Sequence, residues 1–332
     1  MKYIGRIREF INFYNKKYPK NSISEAFVKN NYNAMILKER SSIMEGVMFM
    51  CDGKMLHGGL TDRIRGILST YQITKRHDLP FYINWTTPFE LAKFLLPNKV
   101  DWTINPQDII YDANSFPAIM FKLSSEHRFM NKYNEVVFKN FFKNHKIQTH
   151  VYTNLDFANK DYSRLYDELF KPSDYLKSNI ESHLSNLGEN YVSFSFRFTG
   201  LLGDFKDLVG NKLSEDEICN LINRNSEELS KFLKVIPTDY RILITSDSTR
   251  FLESIKKLDN RIYIVPGNIS HIDRQYQNES DMNDVWLKTF LDQYLIMKAK
   301  KVYLFKTGDM YASGFSRFAA QIGGIPFIQH EF

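Results

Sequence analysis

The hydrophobic and polar positions of this chain alternate between two periods. Residues 2–16 carry Ile4, Ile7, Phe10, Ile11 and Tyr14 on one helical stripe. "EGVMFMCDG" (45–53) is a short continuous apolar run that stops in a turn, which predicts a buried strand. Leu60 to about His77 returns to the helical period, and "PFYINW" (80–85) reads as the next strand. Pro88 stands where a further helix can begin, since its missing N–H is no loss at a first turn. Strand, glycine turn, helix, strand predicts a βαβ unit. Between 100 and 180 the pattern is less regular. "DIIYDA" and "IQTHVYTN" read as strands, "YNEVVFKNFFKNH" as a helix, and 172–190 as a helix ending near Gly188.

The second half is more regular. Strands are expected at 190–198, 240–247, 261–267 and 301–307, with a last one in "IPFIQHE". Helices are expected at 214–235, 248–258, 283–300 and 312–324, the first opened by a capping box of Ser214 and Glu217. Strands alternating with helices predict an α/β fold with open, largely parallel sheets. Ligands in such sheets bind at the carboxyl ends of strands. No internal repeat appears, which removes solenoid folds.

Composition narrows the class. The 332 residues are 43% hydrophobic and 25% charged, ordinary for a soluble globular protein and enough for two domains. Cys51 and Cys219 fit no metal pattern and are expected as reduced core thiols of a cytosolic protein. The first residues are amphipathic and charged, unlike a signal peptide, and no run reaches the ~20 apolar residues of a membrane span. The first 100 residues hold 16 Lys and Arg against 8 Asp and Glu, so the net charge of +6 is N-terminal in origin. That surplus reads either as a solvated basic face or as attraction to an anionic acceptor or an acidic membrane surface. The expected location is the cytoplasm, with peripheral contact to the inner face of a membrane as an extension of it. No zinc knuckle, basic zipper or RNP-type box supports nucleic acid binding. No Walker A loop, GxGxxG or HExxH is present, so ATPase, NAD-enzyme and metal readings have no support.

The chemistry-bearing residues fall at predicted strand ends. Arg197 closes "SFSFRF", where a charged planar fork suits a phosphate; an interdomain salt bridge is the other reading. "TGLLGDF" follows, and Asp204 is either a general base for an acceptor hydroxyl or a turn aspartate. In "ITSDSTRFL", Asp247 offers two acceptor oxygens to the paired N–H donors of a guanine, while Ser246, Asp247 and Ser248 compete as helix caps. "KTGDMYASGFSRFAA" places Ser313, Gly314 and Ser316 at a helix start with Arg317 one turn in: an anion site or a plain capped helix. His57 precedes Gly58 and Gly59, and His271 follows another strand end; each is either structural or near a donor.

Four blocks carry a resemblance. "HGGLTDRIRG" resembles the Gly-Gly-x-x-(Asp/Asn)-Arg-x-(Arg)-Gly loop of the GDP-fucose-dependent fucosyltransferase superfamily, which includes α-1,2, α-1,6, nodulation-type and protein O-fucosyltransferases. "FSFRFTGLLGDF", "ITSDS" and "YASGFSRFAAQIGG" resemble its later blocks, in the family's order. Where the family often has His and a second Arg, this chain has Ser195 and Phe198. The resemblance implies a GT-B-like fold, two Rossmann-like domains facing a cleft. They are expected over 1–180 on the acceptor side and 181–332 for the nucleotide sugar. It further implies inverting, metal-independent transfer of fucose from GDP-fucose, with no cofactor beyond that donor. The acceptor would be a glycan or lipid-linked glycan, by family analogy a bacterial surface polysaccharide or oligosaccharide. Carried over, Arg197 would bind the β-phosphate, Asp204 would act as base, and Asp247 would read guanine. Ser313, Ser316 and Arg317 would cradle the pyrophosphate, with Gly314 in the same turn, and Gly58, Gly59 and Arg63 would line the N-terminal wall. His57, Ser195, Ser248 and His271 complete the expected donor set. Two alternatives stand beside this: a GT-B transferase using another nucleotide sugar, and a non-catalytic glycan or membrane binder with a degenerate nucleotide fold.

Overall fold

The computed structural model describes residues 27, 30–32, 44–111, 115–120, 148–154, 161–205, 212–269, 272 and 279–332. The helices expected at 2–16 and 133–145 lie outside them, as does His271. The first half runs β1 (Gly46–Cys51), α1 (Leu60–Arg76), β2 (Phe81–Trp85), β3 (Leu95–Pro97), β4 (Ser115–Met120), β5 (Gln148–Thr153), α2 (Tyr162–Leu169), β6 (Phe170–Pro172) and α3 (Asp174–Leu187). Four of these strands form a parallel sheet in the order β2-β1-β5-β4, and β3 pairs antiparallel with β6. Every residue of β1 is buried, which is why its sequence is continuously apolar rather than alternating.

The second half runs β7 (Tyr191–Phe196), α4 (Glu215–Val235), β8 (Arg241–Ser246), α5 (Thr249–Ile255), β9 (Ile262–Tyr263), α6 (Glu279–Lys298), β10 (Val302–Lys306), α7 (Gly314–Gly323) and β11 (Phe327–Glu331). Its five strands are parallel in the order β11-β10-β7-β8-β9. This is the doubly wound arrangement, and the order in which strands are added reverses between β7 and β10. The expected capping box opens α4: Ser214 Oγ accepts from the Glu217 amide while Glu217 accepts from the Ser214 amide.

One apolar core runs through both halves. Phe94 stacks on Phe290 with ring centroids 4.5 Å apart, Phe89 meets Trp286 at 5.6 Å, and the Tyr166 hydroxyl donates to that of Tyr294 at 3.0 Å. The expected boundary at 180/181 falls inside α3, which ends against Gly188 at φ 68°.

The sequence reading departs from the structure at several points. Pro88 starts no helix; the segment holds only a 3-10 turn at Leu91–Lys93. "DIIYDA" carries no strand in its described part: Pro106–Asp108 is a 3-10 turn, and the strand is β4, further on. The strand at 261–267 shrinks to two residues at the sheet edge. Helix α2 was not foreseen. Cys51 is buried but Cys219 is exposed on α4, against the expectation of two core thiols.

Two features fix the start of α1. A buried polar network holds the loop before it: Asp52 Oδ2 accepts from the hydroxyls of Tyr111 (2.8 Å) and Tyr152 (3.1 Å) and meets Lys54 at 3.1 Å. Tyr32 joins Tyr152 to His150, whose pKa is pushed by burial down to about 4, so the ring is neutral at physiological pH. The second feature is Gly66. A Cβ there would lie 2.3 Å from the Thr153 carbonyl oxygen and 2.9 Å from Phe49, so only glycine lets α1 sit this close to the end of β5. Gly66→Ala is expected to cost about 1–3 kcal/mol through overpacking. Chemical denaturation of the two proteins measures it, and an unchanged midpoint would contradict the contact.

Candidate active site

The carboxyl ends of both sheets open onto one cleft of about 460 Å³. That volume suits a small organic ligand. Of the expected residues, the structure brings Gly59, Ser195, Arg197, Asp247, Ser313, Gly314, Ser316 and Arg317 to its walls.

Arg197 follows β7 at the switch point. Its Nε lies 3.3 Å from Asp247 Oδ2, its guanidinium stacks on Phe205 at 4.8 Å, and its carbonyl accepts from the Tyr311 amide at 3.0 Å. The strand ends of β7 and β10 are thus tied together around it. Asp247 is buried, and its Oδ1 and Oδ2 accept from the amides of Phe198 (2.8 Å) and Thr199 (2.7 Å). Burial pushes its pKa up, while Arg197 and the two amides pull it back. Thr199 holds φ 56°, a left-handed conformation that a non-glycine residue keeps only when its surroundings impose it. Here Asp247 supplies that constraint. Its oxygens are thereby engaged by this loop, unlike the guanine reader expected from sequence.

Helix α7 points its N-terminus into the cleft. Ser313 caps it by accepting from the Phe315 amide. Ser316, 1% exposed, lines the cleft, and its Oγ has no hydrogen-bond partner among the described residues. Arg317 reaches the cleft edge, but its guanidinium donates to Gln329 at 2.6 Å and lies over Phe327.

Other expected residues sit elsewhere. Asp204 is not on the cleft wall: its Oδ2 accepts from Ser248 Oγ (2.8 Å) and the Arg250 amide (2.7 Å), capping α5. Ser248 is the N-cap of that helix. Both cap this helix, because a short helix start with free N–H groups recruits the nearest acceptors. His57 packs between Phe49 and Tyr152. Gly58 adopts φ 87° beneath the Asp62 carboxylate, where a Cβ would come within 2.6 Å of Oδ2. Arg63 is buried behind the wall, donating to the Gly58 and Thr87 carbonyls and to Cys51 Sγ. The cation that α1 sends to the wall is Arg65, paired with Asp62. The helical period explains the exchange: residues 62 and 65 share a face, and 63 turns away from it.

The sequence reading also missed Thr61, Asn154 and Asp292, all on the cleft walls. Thr61 Oγ1, Arg65 Nε and Asn154 Oδ1 join Ser316 Oγ as buried atoms with no partner among the described residues. Each such atom costs about 1–3 kcal/mol unless water or a ligand satisfies it. Asp292 on α6 is buried and meets Lys288 Nζ at 2.9 and 3.2 Å. The signal was present: two opposite charges four residues apart inside the apolar run "VWLKTFLDQYLIM".

No family model matches the chain, and no curated protein sequence does. Solved structures do. NodZ α-1,6-fucosyltransferase, soaked with GDP-fucose, superposes with a TM-score of 0.53 at 15% identity, covering 86% of this chain and 95% of that one. A NodZ from Bradyrhizobium gives 0.51 at 14% identity, covering 83% and 92%. A point mutant of Arabidopsis thaliana FUT1 in complex with GDP gives 0.55 at 10% identity, covering 98% and 78%. The chain has the fold of these transferases. The expected GT-B-like architecture is therefore the observed one, and the cleft described above lies between its two sheets.

The Lys288–Asp292 pair gives a test of the cleft's electrostatics. Burial raises the pKa of Asp292, and the Lys288 ammonium opposes that rise. A raised carboxylate pKa disfavours the ionised fold above it, and this penalty fades as pH falls toward the unfolded value. Lys288→Met keeps the stem but leaves the charge unpaired, so the variant should lose about 3–5 kcal/mol near neutral pH. The loss should shrink in acid as Asp292 protonates. Denaturation at pH 8 and pH 5 measures this; an equal loss at both would contradict it.

Proposed function

We propose that this chain is a glycosyltransferase that moves fucose from GDP-fucose to an acceptor hydroxyl with inversion. The observation that carries the reading is the pairing of Arg197 with the N-terminus of α7 at the switch point of the second sheet, where Ser316 Oγ stands buried with no partner among the described residues. A fixed guanidinium and helix-start donors form a site for a diphosphate. The solved structures of the same fold support the donor: NodZ was soaked with GDP-fucose, and FUT1 was solved with GDP.

In the proposed reaction the acceptor oxygen attacks the anomeric carbon as the C–O bond to the β-phosphate breaks. The electron pair leaves with GDP. Arg197 and the α7 donors stabilise that charge, an effect worth about 2.7–4 kcal/mol for one such donor. The acceptor proton needs a base. Asp204 is occupied at α5, so we assign the base to Asp62, on the opposite wall beside Arg65. We assign guanine recognition to Asp292 rather than Asp247. Lys288 is the one hydrogen-bond partner found for its carboxylate among the described residues, which leaves acceptor sites for paired N–H donors.

Arg197→Ala should lower kcat about 10²–10³-fold in a GDP-fucose transfer or hydrolysis assay while the protein stays folded. A variant that keeps a tenth of the activity would remove Arg197 from the leaving-group role. Asp292→Asn should weaken GDP more than inosine diphosphate, which lacks the 2-amino group, by about tenfold or more. Titration calorimetry with both nucleotides decides it, and equal losses would contradict the assignment.

A further inference from the structure

The opening of α1 is held by a buried cation that the donor reading does not use. Arg63 is 4% exposed and does not line the cleft, while its neighbour Asp62 stands on the cleft wall. Arg63 Nε donates to the Gly58 carbonyl at 3.1 Å. Its Nη1 donates to the Thr87 carbonyl at 3.0 Å and contacts Cys51 Sγ. The guanidinium lies over Trp85 at 5.2 Å. Cys51 ends β1, Trp85 ends β2, and Thr87 follows it. One side chain thus ties the loop before α1 to two strand ends of the first sheet. The Thr87 amide closes the same junction by donating to the Cys51 carbonyl at 3.1 Å.

Gly58 passes that hold to Asp62. Its φ of 87° is a left-handed conformation that glycine adopts freely. Its Cα lies under the Asp62 side chain, where an added Cβ would come within 2.6 Å of Oδ2 and 3.2 Å of Cγ. The Gly58 peptide is therefore held by Arg63 and rests against the carboxylate. Gly59, the N-cap of α1, offers no side chain to fix the helix start. Arg65 pairs with the same carboxylate from within α1, so that pair adds no tie to the sheet. A lysine at 63 would keep the charge but not the hold. Its ammonium is a point charge on a flexible stem, whereas a guanidinium carries Nε and Nη donors in one rigid plane.

We infer that Arg63 is a positioning residue for fucose transfer. Through the Gly58 peptide it holds the Asp62 carboxylate where the acceptor proton leaves. This rests on the transferase reading above and on Asp62 as its base. Misplacing a reacting group by about 1 Å costs on the order of 10²-fold in rate. Loosening the hold should therefore act on turnover. It should spare GDP binding, whose proposed contacts come from the second half of the chain.

The test is a double-mutant cycle on GDP release from GDP-fucose with water as the acceptor, alongside calorimetric GDP binding. Water then takes the place of the acceptor hydroxyl and gives its proton to Asp62. Arg63→Lys and Gly58→Ala should each lower kcat at least tenfold, with GDP affinity within twofold of the parent. Asp62→Asn should lower kcat at least as far. Either change made on top of Asp62→Asn should cost less than a further twofold, because both act through that carboxylate. Gly58→Ala leaves the Arg63 side chain in place and carries the test where Arg63→Lys does not fold. A kcat within twofold of the parent, losses that multiply in the double variants, or GDP affinity that falls with kcat overturns the inference. An Asp62→Asn variant as active as the parent overturns the base assignment, and the inference with it. Failure of the parent to bind GDP or to cleave GDP-fucose would instead overturn the transferase reading.

Discussion

The Asp247 carboxylate organises the second half of the molecule. It accepts the Phe198 and Thr199 amides and lies against Arg197. Without it, the turn after β7 would have no compensation for the left-handed Thr199. That turn sets where Arg197 leaves the sheet, and Arg197 in turn receives the Tyr311 amide from the segment leading to α7. One buried acid thus fixes the relation between a cation and a helix N-terminus. Preorganised donors of this kind need no rearrangement when charge develops during a reaction.

The two halves are not independently poised. Aromatic contacts between Phe89, Phe94, Trp286 and Phe290 weld the first half to α6, the helix that carries Asp292 into the cleft. Tyr162 packs on Phe318 of α7 in the same way. Core and site therefore share elements: α6 and α7 each bury one face and present polar residues on the other. A protein built so places its walls by side-chain packing, which is stiff because interiors are close-packed.

Much of this was legible in the sequence, for physical reasons. Parallel strands covered on both faces leave continuous apolar runs, so β1, β8 and β10 could be read directly, while β7 was legible from its alternation of Ser and Phe. Caps at Ser214 and Gly188 marked helix ends through side-chain chemistry and a positive φ. The β9 strand misled because only Ile262 and Tyr263 of that apolar run pair with β8, which itself continues to Ser246. Within the site, sequence located the segments but not the side-chain directions. Arg63 and Arg65 lie in one block, and only the helical phase separates the buried staple from the cleft residue. Asp204 and Asp247 looked like site acids because both follow strands. Backbone amides from distant segments claim both, and no local pattern shows such claims. Asp292 stayed hidden inside an apolar helix.

The central claim is that the cleft holds a guanosine diphosphate through its phosphates and its base. Thermal unfolding with GDP, GMP and UDP tests it most directly. A ligand at ~100 times its Kd adds about 2.7 kcal/mol of stability; at roughly 2–4 °C per kcal/mol for domains of this size, the melting temperature rises by about 5–10 °C. The account predicts a shift of that order with GDP, and much smaller shifts with GMP, which lacks the β-phosphate, and with UDP, which lacks the guanine. Equal shifts with GDP and GMP, or with GDP and UDP, would contradict it.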